Sequence, residues 1–282
     1  MEKITTTQNL SIRELEKIAN ELRCTVIKMI YIAKSGHPGG SLSAADIVTA
    51  LYFKIMNIAP TNPGWPDRDR FILSKGHACP ILYTALSKKG YFDRELLWKL
   101  REINYPLQGH PDMNKTTGID ITTGSLGHGL SLGCGMAFYA KFFKKDYYTY
   151  VLLGDGEINE GIVWEAALTA SKYKLDNLIA FVDYNHLQLD GTTEEVMPLE
   201  PLADKWKAFN WHVQSIDGHN IKEIIQAVNI AKETKNIPSI IIANTIKGKG
   251  VPFMEGECDW HGTAPDEKQY KQAIAYLKGN KD

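Results

Sequence analysis

Two groups of residues have the types and spacing to do chemistry. The first is Gly154-Asp155-Gly156-Glu157-Ile158-Asn159-Glu160-Gly161, answered further on by Asn185. An apolar run, Tyr150 to Leu153, leads into it, and a helical pattern, Ile162 to Leu168, leads out. A second apolar run, Leu178 to Val182, ends in Asp183-Tyr184-Asn185. This order predicts strand, loop, helix, strand: one βαβ unit. A right-handed crossover makes the strands parallel, so Asp155 and Asn185 leave the sheet at its carboxyl edge. A carboxylate and an amide oxygen there suit a hard cation. They are too few to satisfy it alone, so a ligand with phosphate oxygens should complete the shell. The plainer role for Asp155 is to cap a helix beginning near Asn159. That role leaves Asn185 unexplained.

The second group is His37, His77, His110 and His261, four of the eight histidines, each in a loop with glycine close by. A lone histidine near a turn is usually structural or solvent-exposed. Four together are a stronger signal, because glycine lets backbone approach a ligand while imidazole donates to phosphate or moves protons. No helical i, i+4 pair supports a histidine zinc site.

Gly154-Asp155-Gly156 after a strand also resembles the start of a dinucleotide fingerprint, G-x-G-x-x-G. The third glycine falls at 161 rather than 159, and Asp155 would repel a bare pyrophosphate. A divalent ion between protein and diphosphate removes that conflict.

The elements that must position these groups read as alternating helices and strands. Residues 10–34 have helical spacing and end in a breaker cluster, Ser35 to Ser41, read as a loop. Ser43 is expected to cap a helix from Ala44 to Ile55. Residues 59–69 read as a surface connection, Arg70 to Ser74 as a short strand, and Pro80 to Lys89 as a helix. Residues 93–101 look helical. A long loop, 104–121, carries Gly109-His110-Pro111; such loops are often functional. Gly124 to Gly129 opens a helix of small residues, Leu130 to Phe143, in which Cys134 reads as a small core hydrophobe. Strands follow at 211–216 and 239–245 with a helix at 221–234 between them, then a helix over 265–277. The expected fold class is α/β, a mostly parallel sheet with helices on both faces. No composition break divides 1–282, which reads as a single domain with an N-terminal helical region.

A formal net charge of −1 gives no case for nucleic acid or an anionic membrane as main partner. No apolar run approaches the ~20 residues of a membrane span. Met1 to Gln8 resembles neither a secretory signal nor a transit peptide. Four scattered cysteines without a C-x-x-C pair point to a reducing, cytoplasmic setting.

The Asp155 to Asn185 spacing resembles the thiamine-diphosphate motif, and the finer sequence resembles transketolase, in its N-terminal, diphosphate-binding half. The matching runs are Ser35-Gly36-His37-Pro38-Gly39-Gly40, Lys75-Gly76-His77-Ala78, Gly109-His110-Pro111 and Thr123-Gly124-Ser125-Leu126-Gly127. Then come Gly154 to Gly161, Asp183-Tyr184-Asn185, Leu189-Asp190-Gly191 and Trp260-His261-Gly262. Each is weak alone; their order over about residues 35–265 is specific.

The resemblance implies thiamine diphosphate with Mg²⁺ or Ca²⁺ held by Asp155, Asn185 and the Leu187 carbonyl. It implies that His77, Gly124, Leu126, Gly156, Asn185 and His261 line the cofactor, with Leu189 against its rings. His37 and His110 would face the sugar, with His261 also among the catalytic set. Glu160 would face a catalytic glutamate of a partner. One departure is His128, where the family commonly has glutamine. A second is length. Some twenty residues follow Gly262, too few for the family's pyrimidine-binding and C-terminal domains. The expectation is one subunit of a split transketolase, moving a two-carbon ketol unit between sugar phosphates only with a C-terminal partner subunit. A homodimer core joined by two partners is expected. Rival readings are a deoxyxylulose-phosphate synthase-like or dihydroxyacetone synthase-like half-enzyme, or a non-catalytic scaffold that keeps the fold.

Overall fold

The computed structural model describes residues 10–279; the expectation for Met1 to Gln8 lies outside them. Five parallel strands form one sheet: β1 (Arg70–Leu73), β2 (Thr149–Gly154), β3 (Leu178–Tyr184), β4 (His212–Asp217) and β5 (Ser239–Asn244). Their order is β1-β2-β3-β5-β4. β2 and β3 are buried at every position, as expected of strands covered on both faces.

The period-two alternation divides their side chains between two cores. Tyr150, Leu152, Ile179, Phe181 and Ile241 face one way. They pack on α1 (Ile12–Ala33), α3 (Ala45–Ala50), α4 (Cys79–Lys89) and α9 (Ile221–Glu233). Val151, Leu153, Ala180, Val182 and Ile240 face the other way. They meet α5 (His128–Phe142), α6 (Gly161–Lys172) and α8 (Leu202–Ala208). Cys134 is buried in this second core.

Helix α1 begins at a Ser11/Glu14 capping box, a device worth about 0.5–2 kcal/mol. Its inward stripe runs Leu15, Ala19, Leu22, Val26 and Ile30, the 3.6-residue period read from the sequence. The small residues of α5 have a clear use: a Cβ on Gly133 would lie 2.6 Å from Val151 Cγ2, and one on Gly129 2.8 Å from Ser74 Cα. Glycine therefore lets α5 lie against the carboxyl end of the sheet.

Four expectations change. The breaker cluster at 35–41 holds a short helix, α2 (Pro38–Ser43), begun by Pro38. Ser43 does not cap α3, since its hydroxyl donates to the Gly40 carbonyl and to Asp183. The helix from Ala45 changes winding at Leu51–Ile55 and closes with an i→i+5 bond, Met56 N–H to Leu51 O. Residues 94–99 wind as a 3₁₀ helix. Two helices go beyond the sequence reading: α7 (Thr193–Val196), which is one turn long, and α8. The last helix, α10 (Glu267–Leu277), packs back on α1, with Tyr31 stacked on Tyr270 at 4.3 Å. No described helix is long and apolar enough to cross a membrane.

Candidate functional site

In the β2–β3 pair, Gly154 lies opposite Asp183, so the next residues of both strands emerge together at the carboxyl edge. Asp155 is almost fully buried there. Its Oδ1 accepts the Gly156 N–H at 2.8 Å, and its Oδ2 accepts those of Asn185 and His186 at 2.9 and 2.7 Å. Asp155 thus starts the 3₁₀ turn Gly156–Asn159 and also ties the two strand ends together. Helix α6 begins only at Gly161, so Asp155 is not its cap. Asn185 Oδ1 accepts the Leu187 N–H at 3.2 Å, which turns the chain so that Leu187 follows at the same edge.

A cavity of about 420 Å³ opens over these residues, within the usual size of small-molecule sites. Asp155, Gly156, Asn185, Leu187, Leu189 and Glu160 line it. His77, His261 and Leu126 line it from other loops. His37 is outside that lining but within ring contact, with centroids 5.2 Å from His77 and 5.4 Å from His261. His77 and His261 stack at 5.1 Å. His110 is exposed and packs beside Gly124, where a Cβ would lie 3.3 Å from the His110 ring. Gly124 and His110 are at one margin and do not line the cavity. His128 is exposed as the first residue of α5, outside the lining, with its ring 3.4 Å from the Leu126 carbonyl. Leu189 and Glu160 are exposed at the rim.

Several residues have a part in the site that their place in the sequence does not indicate. Lys75 and Asp183 form a buried ion pair behind Asp155, and Lys75 also donates to the Gly40 carbonyl at 2.9 Å. Ser43 and Thr245 donate to Asp183 as well. Lys247 Nζ reaches the Gln188 carbonyl and His261 Nδ1, each at 3.2 Å. Gln188 lies over Gly156, and its buried Nε2 has no partner among the described residues. Glu157 accepts from the Ser74 hydroxyl, from Gly127 N–H at 2.8 Å and from Gly154 N–H at 2.9 Å. Lys75, Glu157 and Asp183 sit inside the matching runs without a role assigned there, and Lys247 opens Lys-Gly-Lys-Gly.

Burial, together with the charge of Asp183, raises the Asp155 carboxyl to about 6. The N–H donors and Lys75 pull it only part of the way back. Burial opposes ionisation of Asp183 too, but Lys75 and the Ser43 and Thr245 hydroxyls outweigh it and hold its carboxyl below the usual range. Burial, then Arg101, lowers His37 to about 4; burial, then Lys247, lowers His261 to about 4. His77 falls well below its ordinary value, and His110 falls for the same leading reason. These imidazoles are neutral at neutral pH. They can donate or accept single hydrogen bonds without adding charge.

The four depressed histidines predict an acid weakness. The unfolded chain takes up histidine protons near pH 6.5, while His37 and His261 in the folded chain wait until about 4. Stability is therefore full above 6.5 and falls as pH drops through that window. Asp155, raised to about 6, has the opposite sign, as do the raised Asp69, Asp120 and Glu157; the lowered histidines, joined by His212 and by the lowered Asp46 and Asp183, outnumber them. Thermal unfolding from pH 7 to 4.5 should show a falling midpoint, with a shallower fall in His261→Gln. A flat wild-type profile would contradict this.

Among the described residues, no three His, Cys, Asp or Glu side chains converge as a metal site. At the β2–β3 edge the cavity instead brings together the Asp155 carboxylate, the Asn185 amide oxygen and backbone carbonyls, the partial oxygen set that a hard cation completes with ligand phosphate.

Residues 15–279 match the family described as transketolase, thiamine diphosphate binding domain. The chain is 51% identical over 265 residues to a 6-deoxy-6-sulfo-D-fructose transketolase subunit of Clostridium sp. strain MSTE9, covering 94% of this chain and 96% of that one. It is 46% identical to an apulose-4-phosphate transketolase subunit of Phocaeicola vulgatus, covering 94% of each. The crystal structure of transketolase from Campylobacter jejuni superposes with a TM-score of 0.90 at 34% identity, over 95% of this chain but 43% of that one. With fold, motif order and full-length similarity in agreement, the chain belongs to the transketolase family, in the part that forms its thiamine-diphosphate-binding domain.

Proposed function

We propose that this chain is the diphosphate-binding subunit of a two-chain transketolase and moves a two-carbon ketol unit from a ketose to an aldose together with a partner. The observation that carries this is the cavity at the β2–β3 edge. There Asp155, Asn185 and Leu187 meet His77 and His261, within a chain of which 94% matches subunit-type relatives. We read it as one domain, its two cores on the two faces of one sheet.

The site fits the cofactor by its own features. Gly156 leaves the floor without a side chain, and the unpartnered Gln188 Nε2 supplies a free donor. Asp155, Asn185 and the Leu187 carbonyl would hold Mg²⁺ or Ca²⁺. His77 and His261, neutral and half-buried, would donate to diphosphate oxygens. Leu126 and Leu189 give apolar contact for the rings. Gly124 keeps the margin open beside His110, which with His37 would hold the protons of sugar hydroxyls. Thiamine diphosphate, when bound, supplies the carbanion chemistry that breaks and makes the C–C bond.

Glu160, exposed at the rim, would pair with a glutamate of the partner and share a proton with it. The outer face of α5, α6 and the adjoining loops exposes Phe138, Tyr139, Phe142, Phe143, Leu168 and Tyr173. An apolar patch of this extent supports covering by other chains, and a homodimer core with two partner subunits fits it. The named relatives act on a sulfonated ketose and a sugar phosphate. An anionic ketose donor is the corresponding reading here.

The test is ketol transfer measured with the isolated chain, with its partner and with their mixture, each with thiamine diphosphate and Mg²⁺. Transfer only in the mixture supports the proposal; turnover by the isolated chain at ~1–10³ s⁻¹, or none in the mixture, sinks it. Glu160→Gln should lower activity of the mixture by about 10²-fold while leaving cofactor binding by the isolated chain within about twofold. Equal loss of both would place Glu160 in the cofactor site instead.

A further inference from the structure

Arg101 belongs neither to the motif runs nor to the cavity lining, yet it links the 35–37 loop to the 104–121 loop. Its backbone is left-handed, φ 62°, a conformation that non-glycine residues adopt rarely and that often marks a functional constraint. The Arg101 N–H donates to the Leu107 carbonyl at 2.8 Å, which fixes the start of the 104–121 loop. The guanidinium then reaches back across the site. Nη1 donates to Ser35 Oγ at 2.7 Å, and Nη2 lies 3.4 Å from His37 Nδ1. Nε is buried without a partner among the described residues. Gly109 sits directly against the fork, since a Cβ there would be 3.1 Å from Nε and 3.2 Å from Cζ.

A guanidinium has donors only and does not deprotonate in proteins. The nitrogen facing it, His37 Nδ1, must therefore accept. The proton of the neutral ring then sits on Nε2, on the side of the ring next to Gly262, where a Cβ would lie 3.6 Å from His37 Nε2. Other groups also face His37: the His77 and His261 rings, and the charges of Lys247 and His110. A second proton on His37 is disfavoured by burial first and by Arg101 next. Lysine could supply the charge but not the planar fork that reaches Ser35 and His37 together.

We propose that Arg101 is a positioning residue that fixes His37 as the Nε2–H tautomer and holds that N–H on the Gly262 side of the ring. The inference rests on the proposed placement of His37 at the substrate. It predicts that His37 offers a donor to substrate oxygen from the first encounter, with no tautomer exchange required. Gly109 is part of the same device, because a side chain there would displace the fork.

The experiment has two arms. Nitrogen-15 NMR of histidine-labelled full-length chain, with His37→Asn to assign the signal, reads the tautomer directly and needs no partner or turnover. His37 should show the Nε2–H pattern. An Nδ1–H pattern in the wild-type chain overturns the proposal, whatever the activity and whether or not any variant folds. The second arm compares Arg101→Met and Arg101→Lys in the two-subunit complex. Arg101→Met should lower kcat/KM by at least about tenfold and move the acidic limb of its pH profile upward, and Arg101→Lys should restore the limb more fully than the rate. If Arg101→Met leaves the limb unmoved and the His37 signal purely Nε2–H, the proposal is overturned. Absence of transfer in the wild-type complex would count against the proposed function, while the NMR arm still decides the tautomer.

Discussion

Asp155→Asn is expected to weaken metal-dependent thiamine diphosphate binding by at least about 10²-fold, close to 3 kcal/mol, and to remove ketol transfer. The substitution is nearly isosteric, so the loss would come from charge. The native carboxylate accepts three backbone N–H groups and would also face the cation. The asparagine amide keeps one acceptor oxygen and turns an NH₂ toward donors. Isothermal titration with cofactor at saturating Mg²⁺, and again in EDTA, separates the two roles. If Asp155 served only to hold the strand ends, both titrations would fall together and unfolding would shift with them. If it holds the cation, the Mg²⁺-dependent part disappears and little else changes. The wild-type titration should also weaken below pH 6, because the carboxyl held near 6 by burial and Asp183 must lose its proton to bind metal. Unchanged Mg²⁺-dependent binding in Asp155→Asn would refute the assignment.

Lys75→Met should destabilise the fold by about 3–5 kcal/mol, the usual result of stripping one partner from a buried ion pair. Lys75 is 2% exposed and Asp183 is fully buried. Removing the ammonium leaves Asp183 with only the Ser43 and Thr245 hydroxyls for a charge that water cannot reach. The carboxyl should then take up a proton. The double variant Lys75→Met/Asp183→Asn should regain a large part of the loss, because the unpaired charge is gone. Urea unfolding of the four proteins gives the coupling. Additive losses in the cycle would show that the two residues do not act as a pair. Lys271→Met provides the contrast: its pair with Glu267 is open to solvent on the face of α10, and its loss should not shift the unfolding curve measurably.

The fold class is readable because β2 and β3 are continuous apolar runs of strand length, and α1 and α9 carry a clean helical stripe. The joining of Asp155 to Asn185 follows from chain direction alone. What escapes a sequence reading does so for physical causes. Pro38 to Ser43 contains two glycines and a proline, so propensity argues for a loop. Packing of every one of its residues into the interior makes it a helix. Helix α8 is hard to see because Leu202 and Trp206 give only two inward positions. Ser43 resembles a cap from its own neighbours, and its partner, Asp183, is brought to it only by the sheet. Lys75, Glu157 and Asp183 fall inside the motif runs, but nothing in one dimension shows what they pair with, and their burial is a tertiary fact. Arg101 is obscured in the same way: nothing local marks a left-handed arginine, and its contacts span the loops at 35–37 and 109. The histidines are marked by their glycine neighbours, yet only three of the four form one cluster.

Glu157 has a consequence for how this site can change over time. One buried carboxylate holds the end of β1 through Ser74, the entry to α5 through Gly127 and the end of β2 through Gly154. Those three segments are ordered when the chain folds, so a ligand entering the cavity has little left to organise on that wall. The same sharing removes their independence: a substitution that reshapes one segment strains the other two. Innovation in substrate range should therefore accumulate elsewhere, in the 104–121 loop and in residues 186–197, which Glu157 does not hold. A library that randomises those two stretches should yield altered specificity in folded protein. One that randomises 154–157 should yield chiefly insoluble chains.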